Sequence, residues 1–283
     1  MQTPTPIPTK LSILNAHERD ANVTFEEGPH IYRIHGVHDK DSLSVTTLVH
    51  HCFPKFDAVK EALRIVNDKK MSDPKYKYYG MTQDEIVNKW KKSTNAGTEL
   101  HYNIECYYND VPPPNQDTTE FQMFMKFAKD YPHLEPFRTE WVIYHEELKL
   151  CGSIDMVFLN KQTGLYEIYD WKRVLEIHMQ PFKNSENALL PFLEYLPNVN
   201  LSHYTMQLNI YKKILESKYN LPISKMFLVQ IHPDNTFKTY FRLELADIQN
   251  TIEELFDYRL KQLSSICTNG SKRNSKNNPQ DKF

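Results

Sequence analysis

Gly152-Ser153-Ile154-Asp155-Met156-Val157-Phe158-Leu159-Asn160-Lys161-Gln162-Thr163-Gly164-Leu165-Tyr166-Glu167-Ile168-Tyr169-Asp170-Trp171-Lys172 is the stretch on which the fold turns. Its centre, Asn160 to Gly164, is a run of turn formers. On either side, Ile154–Leu159 and Leu165–Trp171 are rich in β-branched and aromatic residues. Together these predict a β-hairpin. Positions 155 and 170 are equidistant from the midpoint between Gln162 and Thr163, so a symmetric hairpin sets Asp155 opposite Asp170. Side chains alternate along a strand, which puts Lys172 on the same face as Asp170. Two carboxylates and an ammonium then converge on one patch. Carboxylates that close destabilise each other unless a cation lies between them. A hard divalent cation such as Mg²⁺ or Mn²⁺ suits oxygen ligands of this kind. Taken alone, Asp170-Trp171-Lys172 is equally a surface hairpin with a Lys–Asp pair.

Two further motifs bracket the hairpin. Upstream, Ala96-Gly97-Thr98-Glu99-Leu100-His101 leads into Ile104-Glu105; downstream, Tyr204-Thr205-Met206-Gln207 leads to Tyr211. A Gly-Thr-x-x-His helix, a Gly-x-x-Asp strand, an Asp-x-Lys strand and a Gln-x-x-x-Tyr helix thus follow in order. In this the chain resembles the PD-(D/E)xK nuclease superfamily, and within it the RecB-like exonucleases. The match runs from about residue 90 to about residue 215.

The resemblance implies an α/β fold with a restriction-endonuclease-like core: a mixed central sheet flanked by helices, with a helical N-terminal elaboration. It implies a metal-dependent DNA exonuclease acting on single-stranded or end-exposed DNA. Asp155 and Asp170 would be metal ligands, joined by the backbone carbonyl of Trp171. Lys172 would position the attacking water and stabilise developing negative charge. Gln207 and Tyr211 would support the site and contact the substrate backbone, although Tyr211 is equally a core aromatic. His101 is either a metal ligand or a buried histidine on an apolar helix face; its Gly-Thr-x-x-His setting favours ligation, which would favour Mn²⁺. Glu140, on the preceding strand, would bind metal through water or pair with a lysine. Two other readings stay open: an endonuclease of the same superfamily, cutting RNA or structured DNA, and a nucleic-acid-binding module that has lost catalysis. The intact Asp155, Asp170 and Lys172 set weighs against the last.

Hydrophobic residues make up 40% and aromatics 12% of the 283 residues, enough for a sizeable core. No apolar run approaches the ~18 residues of a membrane span, and Met1–Lys10 lacks the apolar centre of a secretory signal. Cys52, Cys106, Cys151 and Cys267 form no Cys-x-x-Cys pair, so neither a zinc site nor a disulfide framework is indicated. The resemblance bears on iron–sulfur chemistry: some RecB-like nucleases hold a four-cysteine cluster with a cysteine group after the Gln-x-x-x-Tyr helix, and only Cys267 lies there, so no cluster is expected. Free thiols suit a reducing intracellular compartment, cytoplasm or nucleus. The net charge of −2 counts mildly against a nucleic-acid partner, but basic residues cluster locally. Lys69-Lys70 runs on to Lys75-Tyr76-Lys77-Tyr78-Tyr79, and Lys89, Lys91 and Lys92 follow. Interleaved lysine and tyrosine suit phosphate contacts and base stacking along a single DNA strand; the competing reading is a solvated loop with half-buried tyrosines.

The expected organisation is a flexible arm over 1–12, one domain over 13–267 with its elaboration over 13–81 and its core over 82–267, and a disordered tail over 268–283. A hairpin is expected over Val23–Ile34 around Glu27-Gly28-Pro29. Ser44-Val45-Thr46-Thr47 precedes a helix, which its hydroxyls cap unless they touch a phosphate. Helices are expected over 57–68, Thr82 to about Tyr108, Thr118–Lys129 (an Asp117/Glu120 capping box), His203–Tyr219 and Asp247–Ser264. In the long helix, Gly97 would allow close backbone approach. Strands are expected at Arg138–Tyr144, Lys149–Leu159, Leu165–Lys172, Lys225–His232 and Phe237–Leu245. Arg173–Ser202, with the apolar island Ala188–Leu196, reads as an insertion near the site, a lid or strand guide.

Overall fold

A computed structural model describes residues 9–26, 28, 31–38, 42–180 and 186–274, and of residues 266–274 the backbone alone. Central to it is the hairpin of β5 (Leu150–Asn160) and β6 (Leu165–Lys172). Asn160 closes its turn: its side-chain oxygen accepts from Gln162 N at 2.9 Å, and its carbonyl accepts from Gly164 N at 2.8 Å. Gly164 has φ +71°, which glycine adopts without a Cβ penalty. The observed register, Met156↔Tyr169 through Asn160↔Leu165, is the one that the symmetric reading requires.

β4 (Leu134–His145) pairs antiparallel with one edge of β5 over nearly its whole length. The other edge of β5 is shared. β6 takes Met156–Asn160, and the two-residue strand β3 (Leu43–Ser44) runs parallel to Leu150 and Cys151. β7 (Ile223–Gln230) lies parallel to β6, and β8 (Phe241–Glu244) runs antiparallel to β7. The sheet is therefore mixed, with helices on both faces, and its inner strands are buried on both sides. One face packs on α6 (Asn200–Lys218), α2 (Val45–His51) and α7 (Gln249–Asn274) through Ile168, Leu228, Met206 and Ile210. The other packs on α4 (Gln83–Tyr108) and α5 (Thr119–Asp130) through Met156, Trp171, Ile104 and Phe124. No helix of the described residues is long and apolar enough to cross a membrane. Cys52, Cys106 and Cys151 are buried free thiols.

Local signals set several boundaries. Thr82 and Glu85 form a capping box that starts α4. Ser44 accepts from Thr47 N, so its hydroxyl caps α2. The strands β1 (Val23–Glu26) and β2 (Ile31–Ile34) pair in the expected hairpin and pack Val23 and Ile34 against Tyr144 and Cys151. Of its expected turn, Glu27 and Pro29 lie outside the described residues.

Elsewhere the structure departs from the sequence reading. Within the expected arm, α1 (Lys10–Leu14) is docked: Leu11 is buried and its N–H donates to Asn109 Oδ1 at 2.8 Å. Residues 1–8 lie outside the described residues. α5 is capped by Thr118, not Asp117, its hydroxyl accepting from Phe121 N, and Glu120 is ion-paired with Arg173. α4 serves two cores. Its first half joins Ile86 and Trp90 to α3 (Ala58–Val66) through Ala62 and Ile65, and its second half joins the sheet. Gly97 permits no close approach; a Cβ there would meet only Arg173 Cβ, at an ordinary 3.9 Å. The apolar island is no lid, since Ala188, Leu193 and Leu196 are buried in the main core. α6 starts at Asn200, three residues before the expected His203, without a side-chain cap to announce it. α7 runs on to Asn274, past the expected start of the tail, and 275–283 lie outside the described residues.

Candidate active site

The site forms where β5 and β6 part. The last paired residues are Met156 and Tyr169. One step further, the N–H of Trp171 donates not to backbone but to Asp155 Oδ2, at 2.9 Å. Trp171 is well held for this, with its indole buried edge-on against Phe124 and Phe127. With Trp171 pointing into that core, Asp170 and Lys172 project from the opposite face, toward α6, by strand alternation.

β4 supplies the next member. Its pairs Thr139↔Met156 and Trp141↔Ile154 set Glu140 opposite Asp155. Glu140 has φ +41°, a conformation that costs a non-glycine residue on the order of 1–3 kcal/mol and gathers at functional sites. Ser153 Oγ donates to Glu140 Oε2 at 3.2 Å.

α4 closes the group with His101. Its Nε2 lies 2.8 Å from the Trp171 carbonyl oxygen, and its Nδ1 lies 3.5 Å from both Glu140 Oε1 and Asp155 Oδ2. The Trp171 peptide is thus used at both ends, by Asp155 and by His101. The donor atoms of His101, Glu140 and Asp155 all lie within 4.8 Å of one another, a spacing that one metal ion can bridge. Glu140, expected at a remove through water, stands in this set directly. Asp170, expected in it, falls outside and pairs with Lys172 instead, Oδ2 to Nζ 2.6 Å. That Asp170 oxygen is buried without an aligned hydrogen bond.

The electrostatics follow from burial and crowding. Burial, and then the charge of Asp155, push Asp170 up to about 6 against the pull of Lys172. Burial also raises Asp155, with Glu140 adding to the rise and His101 opposing it. Burial alone would lower His101, but Asp155 and Glu140 outweigh it and carry the imidazole to about 10. Lys172 is raised, since Asp170 and Asp155 outweigh its desolvation. Its ammonium also sits 4.6 Å over the ring of Tyr204. The imidazole thus lies against two carboxylates that favour its charged, protonated form, and a divalent cation would take the place of that proton.

Gln207 and Tyr211 form a row along α6. Gln207 Nε2 donates to the Tyr211 hydroxyl at 3.2 Å and reaches Thr46 Oγ1 at 3.5 Å. Tyr211 is buried and lies directly against Gly152: a Cβ there would come within 2.8 Å of Tyr211 Cε1 and 2.9 Å of its hydroxyl. This ring is the physical reason for a glycine three residues before Asp155.

The lysine–tyrosine run divides. Tyr78 is buried in the small core of α3 and α4, where its hydroxyl accepts from Trp90 Nε1 at 2.9 Å. It presents no free face to a base, which corrects the stacking role expected for it. Tyr76 is half-buried edge-on against Tyr78, and Lys77 sits over the Tyr78 ring. Lys75, Lys77 and Tyr79 remain exposed. Residues that the sequence reading did not mark also enter. Tyr204 lies under Lys172, and His50 and His203 line a cavity beside it. Only the hydroxyls of Ser44–Thr47 gave a sign of that second region. The other close His-carboxylate group, His145 with Glu146 and Glu147, has its carboxylates engaged by Arg19 and Lys218.

No family model matches the sequence, and no curated protein matches it. Among solved structures, one titled "Crystal structure of SSO0001" aligns over 80% of this chain and 78% of its own, at 15% identity and a TM-score of 0.33. A likeness that low carries no argument.

Proposed function

We propose that the protein is a metal-dependent deoxyribonuclease that hydrolyses phosphodiester bonds of single-stranded or end-exposed DNA, working as an exonuclease. The observation that carries this reading is the convergence of His101, Glu140 and Asp155 within 4.8 Å, with Asp170 and Lys172 on the same hairpin. The donor set fits a metal: two carboxylates and one imidazole suit Mg²⁺ or Mn²⁺, with the nitrogen favouring Mn²⁺. Asp170, ion-paired through Oδ2 with Lys172, is a further carboxylate on the same hairpin. His101, Glu140 and Asp155 would hold the ion. Such an ion, when bound, acidifies a water and polarises a phosphoryl oxygen.

The chain's own residues do the rest. Lys172, raised by its acidic neighbours, stabilises charge on the phosphate. The Tyr204 ring and Asp170 hold that ammonium from two sides. Trp171 fixes Asp155 through its N–H and His101 through its carbonyl. The order α4, β4–β5–β6, α6, β7 and the placement of all four motifs around one end of the hairpin support the PD-(D/E)xK reading of the core. The Gln207–Tyr211 row supports the RecB-like branch.

The test is digestion of end-labelled linear and of circular single-stranded DNA with Mg²⁺ or Mn²⁺. Loss of the linear strand alone is expected. Cutting of the circle would replace exonuclease by endonuclease, and no cutting of DNA with either ion would remove the reading.

A further inference from the structure

A cavity of about 380 Å³ opens beside Lys172, between α2 and the start of α6. That lies at the small end of ligand pockets, roughly 300–1,000 Å³, and has room for a nucleotide-sized group. Its polar wall comes from Thr46 and His50 on α2, Asn200, His203 and Gln207 on α6, and Lys172 on β6. Nothing that lines it is a carboxylate. Lys172 thus stands between two chemically opposite places: an acidic group that suits a cation, and a cavity of hydrogen-bond donors that suits an anion.

Three details sharpen this. First, Val199 gives α6 no side-chain cap. The first-turn N–H groups of this 19-residue helix, at the positive end of its dipole, therefore lack the acceptor that a Ser or Asp cap provides. Asn200 and His203, at that end, line the cavity. Second, the His203 ring is held in place as a neutral wall of the cavity: it stacks on Phe53 at 4.1 Å, its Nε2 donates to Asn198 Oδ1 at 2.8 Å, and burial, with His50 adding to it, lowers the imidazole to about 4. The exposed His50 ring lies 6.1 Å away. Third, the Gln207 amide is fixed by Tyr211 and reaches Thr46 Oγ1 only at 3.5 Å, a marginal bond that a better acceptor would displace.

We propose that this cavity is an anion subsite that binds a phosphate group of the substrate strand, neighbouring the phosphate that is cleaved, through Thr46, His50 and Gln207. The identity of the strand rests on the nuclease reading; the affinity for phosphate does not. The group recognised is either a terminal phosphomonoester or an internal diester, which share these oxygens.

The first measurement uses the full chain without metal. Inorganic phosphate is titrated in while the imidazole resonances of His50 and His203 are followed by NMR. A saturable shift of both is expected, with His133 unmoved. In a Thr46→Val/His50→Ala variant, at exposed positions of α2, phosphate should bind about tenfold weaker or worse, as loss of a charge-assisted bond implies. An unchanged backbone amide spectrum shows that the variant is folded. No saturable shift, or equal affinity in the variant, overturns the proposal.

The second measurement uses DNA and metal. Oligonucleotides with 5′-phosphate, 3′-phosphate or hydroxyl ends, and strands with one neutral methylphosphonate, are compared in both proteins. A terminal source predicts a preference for a phosphorylated end that the variant loses. An internal source predicts one methylphosphonate position that raises KM in the unmodified protein and not in the variant. A variant that matches the unmodified protein on every substrate overturns the assignment to the strand. If neither protein cuts DNA, the nuclease reading fails and the phosphate titration alone decides the subsite.

Discussion

Replacing Gly152 by alanine tests whether the Gly-x-x-Asp spacing is set by one ring. The new Cβ would lie 2.8 Å from Tyr211 Cε1, 2.9 Å from its hydroxyl and 3.3 Å from Cζ. Ordinary carbon contacts begin near 3.5 Å, so the ring must retreat by about 0.7 Å (3.5 less 2.8). It has little room: Tyr211 is 3% exposed and sits in the main core with Ile210 and Ile214. Overpacking of this kind costs roughly 1–3 kcal/mol. Displacing the hydroxyl also weakens the bond from Gln207, adding on the order of 1 kcal/mol. A total of about 2–4 kcal/mol corresponds to a melting temperature lower by roughly 5–10 °C for a domain of this size. The assay is thermal and urea unfolding of the metal-free protein, repeated in a Tyr211→Leu background that removes the clashing ring atoms. There Gly152→Ala should cost less than about 0.5 kcal/mol, within the range over which independent sites add. An equal loss in both backgrounds would refute Tyr211 as the reason for the glycine.

Asp155→Ala and Lys172→Ala should each abolish cleavage, and Asp155→Ala alone should weaken Mn²⁺ binding in calorimetry; full activity in either variant removes the residue from the active site. His101, held near 10 by Asp155 and Glu140, must lose its proton before it can ligate. Mn²⁺ binding at pH 7 should therefore release about one proton and tighten about tenfold per pH unit, and His101→Gln should release none; calorimetry in buffers of different ionisation enthalpy reads this directly. Asp20 accepts from buried Arg138 and from Trp141, so Asp20→Ala should cost roughly 3–5 kcal/mol in urea unfolding by leaving a buried guanidinium unpaired. Burial would raise the carboxyl of Asp20, but hydrogen bonds from Arg138 and Trp141 outweigh it and lower the group in the fold. Its contribution is present above the unfolded value near 3.9 and lost as pH falls through the lower folded value, so acid should narrow the difference between variant and parent. Tyr78→Ala should lower the melting temperature and activity together, whereas Tyr79→Ala should leave stability intact and raise KM for single-stranded DNA; the reverse pattern would return Tyr78 to the strand-binding role.

Much of the hairpin's chemistry was legible in the sequence because it is local. Turn residues sit at its centre and strand alternation has a period of two, so the facing of Asp155 and Asp170 follows from counting; the observed register keeps that count as far as Met156↔Tyr169, where the pairing ends. The start of α4 was legible for the same reason, since Thr82 and Glu85 satisfy each other within one turn. The start of α6 was not, because Val199 carries no capping oxygen and nothing in the chain marks the boundary.

What only the tertiary structure decided is which distant groups meet. Glu140 joins the ligand group through the β4–β5 register, which is shifted by an irregularity between Pro136 and Arg138 that no periodicity shows. Asp170 lies outside that group and is ion-paired with Lys172, two residues on along the same strand. Tyr78 enters a core because α3 and the first half of α4 pack together and enclose it with Ala62, Ile65 and Ile86. His50 and His203 stand far apart in sequence and are neighbours only because α2 packs on α6. A sequence states which side chains alternate and which turns close. The partners across a core are chosen by burial and packing of the whole chain at once, and such long-range contacts leave no local pattern to read.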